Sequence, residues 1–172
     1  MSRFILPAAA LLFFIFESIF ANLFSGGLFG SDRIYVPRFI MVFIAFLTIY
    51  GTKRTGVLYA LVLGICYDVV YTEILGIYTF LLPALAYLLS KTMKVLQSNL
   101  LVAIFVTAFF VGLLEVADYQ MNVLIHFADM GYQKFAEIRL LPTLLLNLAF
   151  IILFAFPLRQ LVEKYETKLD TI

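Results

Sequence analysis

The sequence predicts an all-α integral membrane protein, a bundle of six transmembrane helices forming one domain over residues 1–172. Two observations carry this. Of the 172 residues, 64% are hydrophobic and 13% charged, against about 45–50% and about 25% in soluble domains. The mean hydropathy is +1.05. A soluble domain of this size has too little interior to hide so much apolar surface, so lipid must be the solvent for most of it. The apolar residues are also gathered into runs close to the roughly 20 residues that a spanning helix needs.

Six runs follow in order: 4–24, 35–50, 56–71, 75–90, 100–119 and 140–157. The first follows Arg3 and exceeds the roughly 7–15 apolar residues of a secretory signal, so it reads as a retained span. The third and fourth are short, and "YTEILG" between them carries a charge and Gly76, which suggests a tight turn rather than one long helix. Between the first and second runs, "SGGLFGSDRIYVPR" reads as a glycine-rich loop. Residues 120–138 either form a short interfacial helix, with Val123, Phe127 and Met130 at helical spacing, or an ordinary loop. The tail, 158–172, is polar enough to continue the last helix into the cytoplasm.

With six spans both termini share a side, which collects Arg3, Lys53, Arg54, Lys91, Lys94, Arg159, Lys164 and Lys168. The other side holds Arg33, Arg38, Lys134 and Arg139. The positive-inside rule then predicts cytoplasmic termini. A net charge of +1 gives no case for nucleic acid as a partner. The lone Cys66 can form no intrachain disulfide and reads as a small buried hydrophobe. With only His126 beside it, no Cys/His metal cluster exists, and no metal or cofactor is expected.

Charged residues inside spans usually face a bundle interior, because each costs about 2.5–3.5 kcal/mol at a helix centre on insertion scales. Glu17 is deep in the first run. Glu115 lies about a turn from the expected end of the fifth, and Asp68 and Asp118 lie near the outer surface. Gly56, Ala60, Gly64 and Asp68 recur every four residues on one stripe of the third helix. Small residues at that spacing let two backbones approach closely, so these four, with Gly76, form the candidate packing or partner seam. Asp68 either ends this seam, satisfied by a neighbouring N–H or hydroxyl, or reaches outer water beside Tyr67 and Tyr71. Ala108, Gly112 and Glu115 give a weaker stripe, with Asp118 three residues on. No basic residue is expected at comparable depth to pair with Glu17, Glu115 or Asp118.

Catalysis is not expected. The chain has no G-x-S-x-G, no H-E-x-x-H and no phosphate-binding glycine loop with lysine. An Asp68–Asp118 aspartyl pair would need the two brought together, and nothing in the sequence does so. A scaffold role and a small-molecule-binding transport subunit, with Glu17 and Glu115 lining a pocket, are the readings the residues leave open.

Gly64–Ile65–Cys66–Tyr67–Asp68 spells G-x-x-x-D, and "LGIYTF" follows a short turn to open the fourth run. Tyr35–Val36–Pro37 leads into the second run, Lys53–Arg54 precedes the third, and a short tail ends the chain. In these features the sequence resembles the MreD family of rod-shape-determining membrane proteins, over nearly its whole length, although only residues 64–80 are motif-like. It departs at Arg38, where family members often carry Asn or Asp after the proline. The resemblance implies a non-enzymatic member of the cell-elongation machinery, with a fold like the S components of energy-coupling-factor transporters. It also implies association with MreC; the small-residue seam offers packing grooves to the single span of MreC, to a second copy as a homodimer, or to both. Through MreC the resemblance implies an indirect link to MreB, RodA and a penicillin-binding protein.

Overall fold

Local chemistry sets the start of each helix in the computed structural model, which describes residues 4–25, 33–72, 75–96, 99–126 and 131–169. Among these there are six helices and no strand: α1 (Ile5–Ser25), α2 (Phe39–Tyr50), α3 (Lys53–Tyr71), α4 (Ile77–Thr92), α5 (Leu100–Leu124) and α6. The sixth starts as Tyr132–Lys134, widens into a π-helical stretch at Phe135–Leu140 and continues as Leu141–Leu169. Side chains cap two starts: Thr52 accepts from the Thr55 N–H ahead of α3, and Asn99 from the Leu101 N–H ahead of α5.

Four helices are long and apolar enough to cross a membrane: α1 over Ile5–Leu23, α3, α5, and α6 over Tyr132–Glu166. The remaining two are shorter. With 12 residues in α2 and 16 in α4, they reach only about 18 and 24 Å at 1.5 Å per residue, short of the roughly 30 Å hydrocarbon core. The second run therefore does not become helix at residue 35. Pro37 biases Val36 towards extended backbone, residues 33–38 run without helix, and α2 begins at Phe39.

A helix that is apolar all round belongs in an interior, and α2 is such a helix. Every residue from Phe39 to Ile49 is buried. It lies at the centre of the bundle, touching α1, α3, α4, α5 and α6. Phe39 stacks on Phe150 of α6 with centroids 3.8 Å apart, and Phe13 of α1 stacks on Phe43 at 5.4 Å. Helix α1 is held by this aromatic contact and by Leu6 and Ala10, while its other faces are open, with Leu11, Leu12, Ile15 and Ile19 exposed.

The widening at Phe135–Leu140 has a cause in the sequence. Pro142 has no N–H for the Ile138 carbonyl four residues before it, and its ring crowds that carbonyl. The freed carbonyl instead accepts the Ile34 N–H at 2.8 Å. The extended lead-in to α2 is thereby tied to α6.

The glycine stripe of α3 meets two different neighbours. A Cβ at Gly56 would collide with Thr48 of α2, and one at Gly64 would fall 2.6 Å from the Tyr78 carbonyl oxygen and 3.0 Å from Thr79 Cα. Ala60 between them is fully buried. Gly76 corrects the expected seam: a Cβ there would meet nothing within 4 Å. Its backbone has φ 114°, so it is a turn residue whose left-handed conformation suits glycine. Cys66 is a second correction, because it is exposed on the outer side of α3.

At the C-terminal end of α5, residues 120–124 continue the helix past its expected stop at 119, and residues 132–138 already belong to α6. The described part of 120–138 is therefore not a separate interfacial helix; Phe127 and Met130 lie outside the described residues, as do Glu73 and residues 26–32 of the glycine-rich loop.

Gly64→Ala should destabilise the protein by about 1–3 kcal/mol through overpacking against backbone. Gly112→Ala should cost less, since its Cβ would meet only the flexible Leu144 side chain at 3.2 Å. Thermal unfolding of the two variants in mild detergent checks this, and equal midpoints would contradict the close approach of α3 to α4.

Candidate functional site

Where α2 starts inside the bundle, its first amides need acceptors, because a buried N–H without a partner costs about 1–3 kcal/mol. Two other helices contribute to meeting that need. Glu17 Oε2 of α1 accepts the Ile40 N–H at 2.8 Å, and Asn147 Oδ1 of α6 accepts the Arg38 N–H at 2.8 Å. The Thr143 hydroxyl accepts from Val36 N at 3.1 Å, and the Asn147 amide donates to the Val36 carbonyl at 2.9 Å.

Asp68 does the same work for α4. One carboxylate oxygen accepts from Gly76 N at 2.9 Å and Thr79 N at 2.8 Å, and the other from Tyr78 N at 2.9 Å. The residue is 1% exposed, which corrects the reading in which it reaches outer water. A negative charge at a helix N-terminus is also favoured by the helix dipole.

Arg38, next to the α2 cap, is the centre of a buried ion-pair cluster. Its Nε donates to Glu115 Oε2 at 2.8 Å, and its Nη2 lies 2.8 Å from the same oxygen and 3.2 Å from Asp118 Oδ2. Nη1 donates to the hydroxyls of Tyr78 at 2.7 Å and Tyr67 at 3.3 Å. Arg139, in the π-helical part of α6, donates from Nε to Glu115 Oε1 and from Nη2 to Asp118 Oδ2, the latter at 2.8 Å. Two guanidinium groups thus meet two carboxylates that are three residues apart on one face of α5.

This overturns the expectation that no basic residue reaches the acids. Arg38 is 3% exposed and Glu115 is fully buried, while Arg139 is a quarter exposed and forms the cluster's outer edge. The signal was present, since Arg38 lies within the apolar run 35–50 and a charge inside a span needs a partner. Asn147, Thr143, Tyr67 and Tyr78 were also passed over, because a single polar group in an apolar run does not say what it faces. Glu115 lies nine positions from the end of α5 rather than one turn, because the helix runs to Leu124.

Chemically the cluster is closed. Both oxygens of Glu115, Asp118 and Asp68 are engaged, Asp118 Oδ1 by Asn122 at 3.2 Å. Asp68 and Asp118 serve different partners rather than sharing a proton. Glu17, Arg38, Tyr67 and Tyr78 line a cavity of only about 10 Å³. Among the described residues no group of three or more His, Cys, Asp or Glu side chains could hold a metal.

Fold and site together define a polytopic membrane protein whose buried charges join helices. The family model for the rod shape-determining protein MreD matches residues 2–165, and the chain belongs to the MreD family. It is 36% identical over 159 residues to the rod shape-determining protein MreD of Bacillus subtilis (strain 168), covering 92% of each chain. To the cell shape-determining protein MreD of Streptococcus pneumoniae (strain ATCC BAA-255 / R6) it is 27% identical over 128 residues, covering 74% of this chain and 76% of that one. No solved structure matches significantly. Membership supports a role in determining rod shape, in a family of shape determinants rather than enzymes.

Arg38→Gln leaves two buried carboxylates to share the partly exposed Arg139 alone, and should destabilise the fold by about 3–5 kcal/mol. Arg139→Gln should cost clearly less, because water reaches its side chain and Arg38 still neutralises both acids. Unfolding of the purified variants in detergent ranks them; the opposite order would remove Arg38 from the centre of the cluster.

Proposed function

We propose that this protein is a non-enzymatic scaffold of the cell-elongation machinery that binds the single span of MreC. Through MreC it would link MreB filaments to RodA and its penicillin-binding partner, and so help organise peptidoglycan synthesis. The observation that carries the MreC reading is an apolar groove of about 660 Å³ between α1 and α3. Ala10 and Phe14 on one wall and Leu58, Val62, Cys66 and Val69 on the other line it. Both walls are helices long enough to cross the membrane, so the groove runs in the direction of a spanning helix. The Tyr71 hydroxyl bonds the Phe14 carbonyl at 3.3 Å and ties the two walls together. Because Arg38, Arg139, Glu115 and Asp118 pair with one another inside the bundle, the groove offers a partner apolar shape rather than polar bonds, which suits helix packing in lipid.

In this reading all six helices cross or enter the bilayer in an S-component-like bundle, with both termini cytoplasmic. Arg38 and Arg139 are held in ion pairs, whereas Arg33 and Lys134 have no ion pair among the described residues, which widens the charge bias. The alternative, a small-molecule-binding transport subunit, is disfavoured. The polar interior surrounds about 10 Å³, whereas ligand sites span about 300–1,000 Å³.

Cys66 is the chain's single cysteine and makes a native probe of the groove. Cysteines placed along the MreC span should oxidise to it at every third or fourth position, and Cys66→Ser should abolish all adducts. A Cys66–Cys66 adduct instead would make a second copy the occupant, and no co-purification of MreC with folded protein would end the scaffold reading.

For orientation, on a Cys66→Ser background, Ser31→Cys should react with an impermeant thiol reagent added outside whole cells and Thr55→Cys should not. The reverse pattern would invert the topology.

A further inference from the structure

We propose that the end of the α3–α4 hairpin opposite the Gly76 turn binds the headgroup of an anionic phospholipid. Lys53 opens α3 and Lys91 closes α4, so the antiparallel pair brings them together. Both ammonium groups lie against the same ring: Lys53 Nζ is 4.1 Å and Lys91 Nζ 5.6 Å from the Tyr87 centroid. Both lysines are exposed, and neither has an ion pair with a carboxylate among the described residues. A cation over an exposed aromatic face gains little, and two like charges over one ring repel. A phosphodiester offers each ammonium an oxygen and removes that repulsion.

The surroundings favour a lipid over a soluble anion. The pair sits at the end of α3, a helix long enough to span the membrane. Exposed apolar side chains flank it, with Leu88 49% and Leu61 39% exposed, and these suit acyl chains. Tyr87, 43% exposed, has the aromatic body and polar tip typical of the headgroup level. Arg54 and Lys94 are exposed close by in sequence and add positive potential. Nothing in this assignment depends on MreC or on which leaflet the end meets.

The test uses the full-length protein, purified with an equimolar mixture of phosphatidylglycerol and phosphatidylcholine, and counts retained lipids by native mass spectrometry. Each lysine should contribute about fivefold to the preference for phosphatidylglycerol, so Lys53→Gln with Lys91→Gln should lower it about thirtyfold. Lys164→Gln, at an exposed position on α6, should leave the preference unchanged. Each single variant should lose about fivefold, which keeps the test valid should the double variant unfold. An unchanged preference in folded single variants would overturn the proposal. So would loss of the bound lipid to millimolar inorganic phosphate, which would make this a free-anion site.

Discussion

Two helices of this protein have first amides that side chains of other helices satisfy, and the rest of the structure follows from how they do so. In lipid every backbone polar group must find an internal partner. Helix α2 opens within the bundle, behind the buried Pro37 and Arg38, whereas α4 opens at an exposed turn with its first amides directed onto the buried Asp68 carboxylate. Glu17 and Asn147 serve the first, and Asp68 serves the second. Each acceptor comes from a different helix than the one it caps. Caps that are local in soluble proteins here join α1 and α6 to α2, and α3 to α4.

Arg38 extends the same logic from partial to full charges. Once the chain enters the bundle at Pro37, the side chain of the capping position has nowhere polar to go but inward. Glu115 and Asp118 meet it from α5, Tyr67 from α3, Tyr78 from α4, and Arg139 brings in α6. The balanced charges reduce the desolvation penalty of burying them, and their geometry specifies which faces of the helices meet. Apolar packing in lipid discriminates poorly between faces, so this polar cluster supplies specificity that Leu and Phe cannot.

Hydropathy made the number and order of the helices legible, because a run of about 20 apolar residues has few other uses. The stripe Gly56–Ala60–Gly64 was legible for a similar reason, since close approach requires small side chains. What stayed hidden was pairing. Asp68 announced itself as an unusual carboxylate, but its acceptor role depends on the turn at Gly76 folding back over it. Arg38 was counted with the outer-side charges although it lay inside the run 35–50, because its place near the end of that run suggested an outlet to water that the bundle does not leave. The exposure of Cys66 followed from which face of α3 the other helices leave uncovered, and periodicity alone does not rank two apolar faces. The widened turn of α6 was implicit in Pro142, but only the arrival of Ile34 gave its freed carbonyl a partner.

The caps on α2 also bear on how the chain is made. Helix α2 is the second to leave the ribosome, yet Asn147, which accepts the Arg38 amide, belongs to the last, and the acids that neutralise Arg38 belong to the fifth. Until α6 is synthesised, the centre of the protein carries a charged residue and open amides. Biogenesis therefore cannot proceed by laying finished helices side by side in order of synthesis. Any order of assembly has to keep Arg38 and these amides out of lipid until α5 and α6 supply their partners.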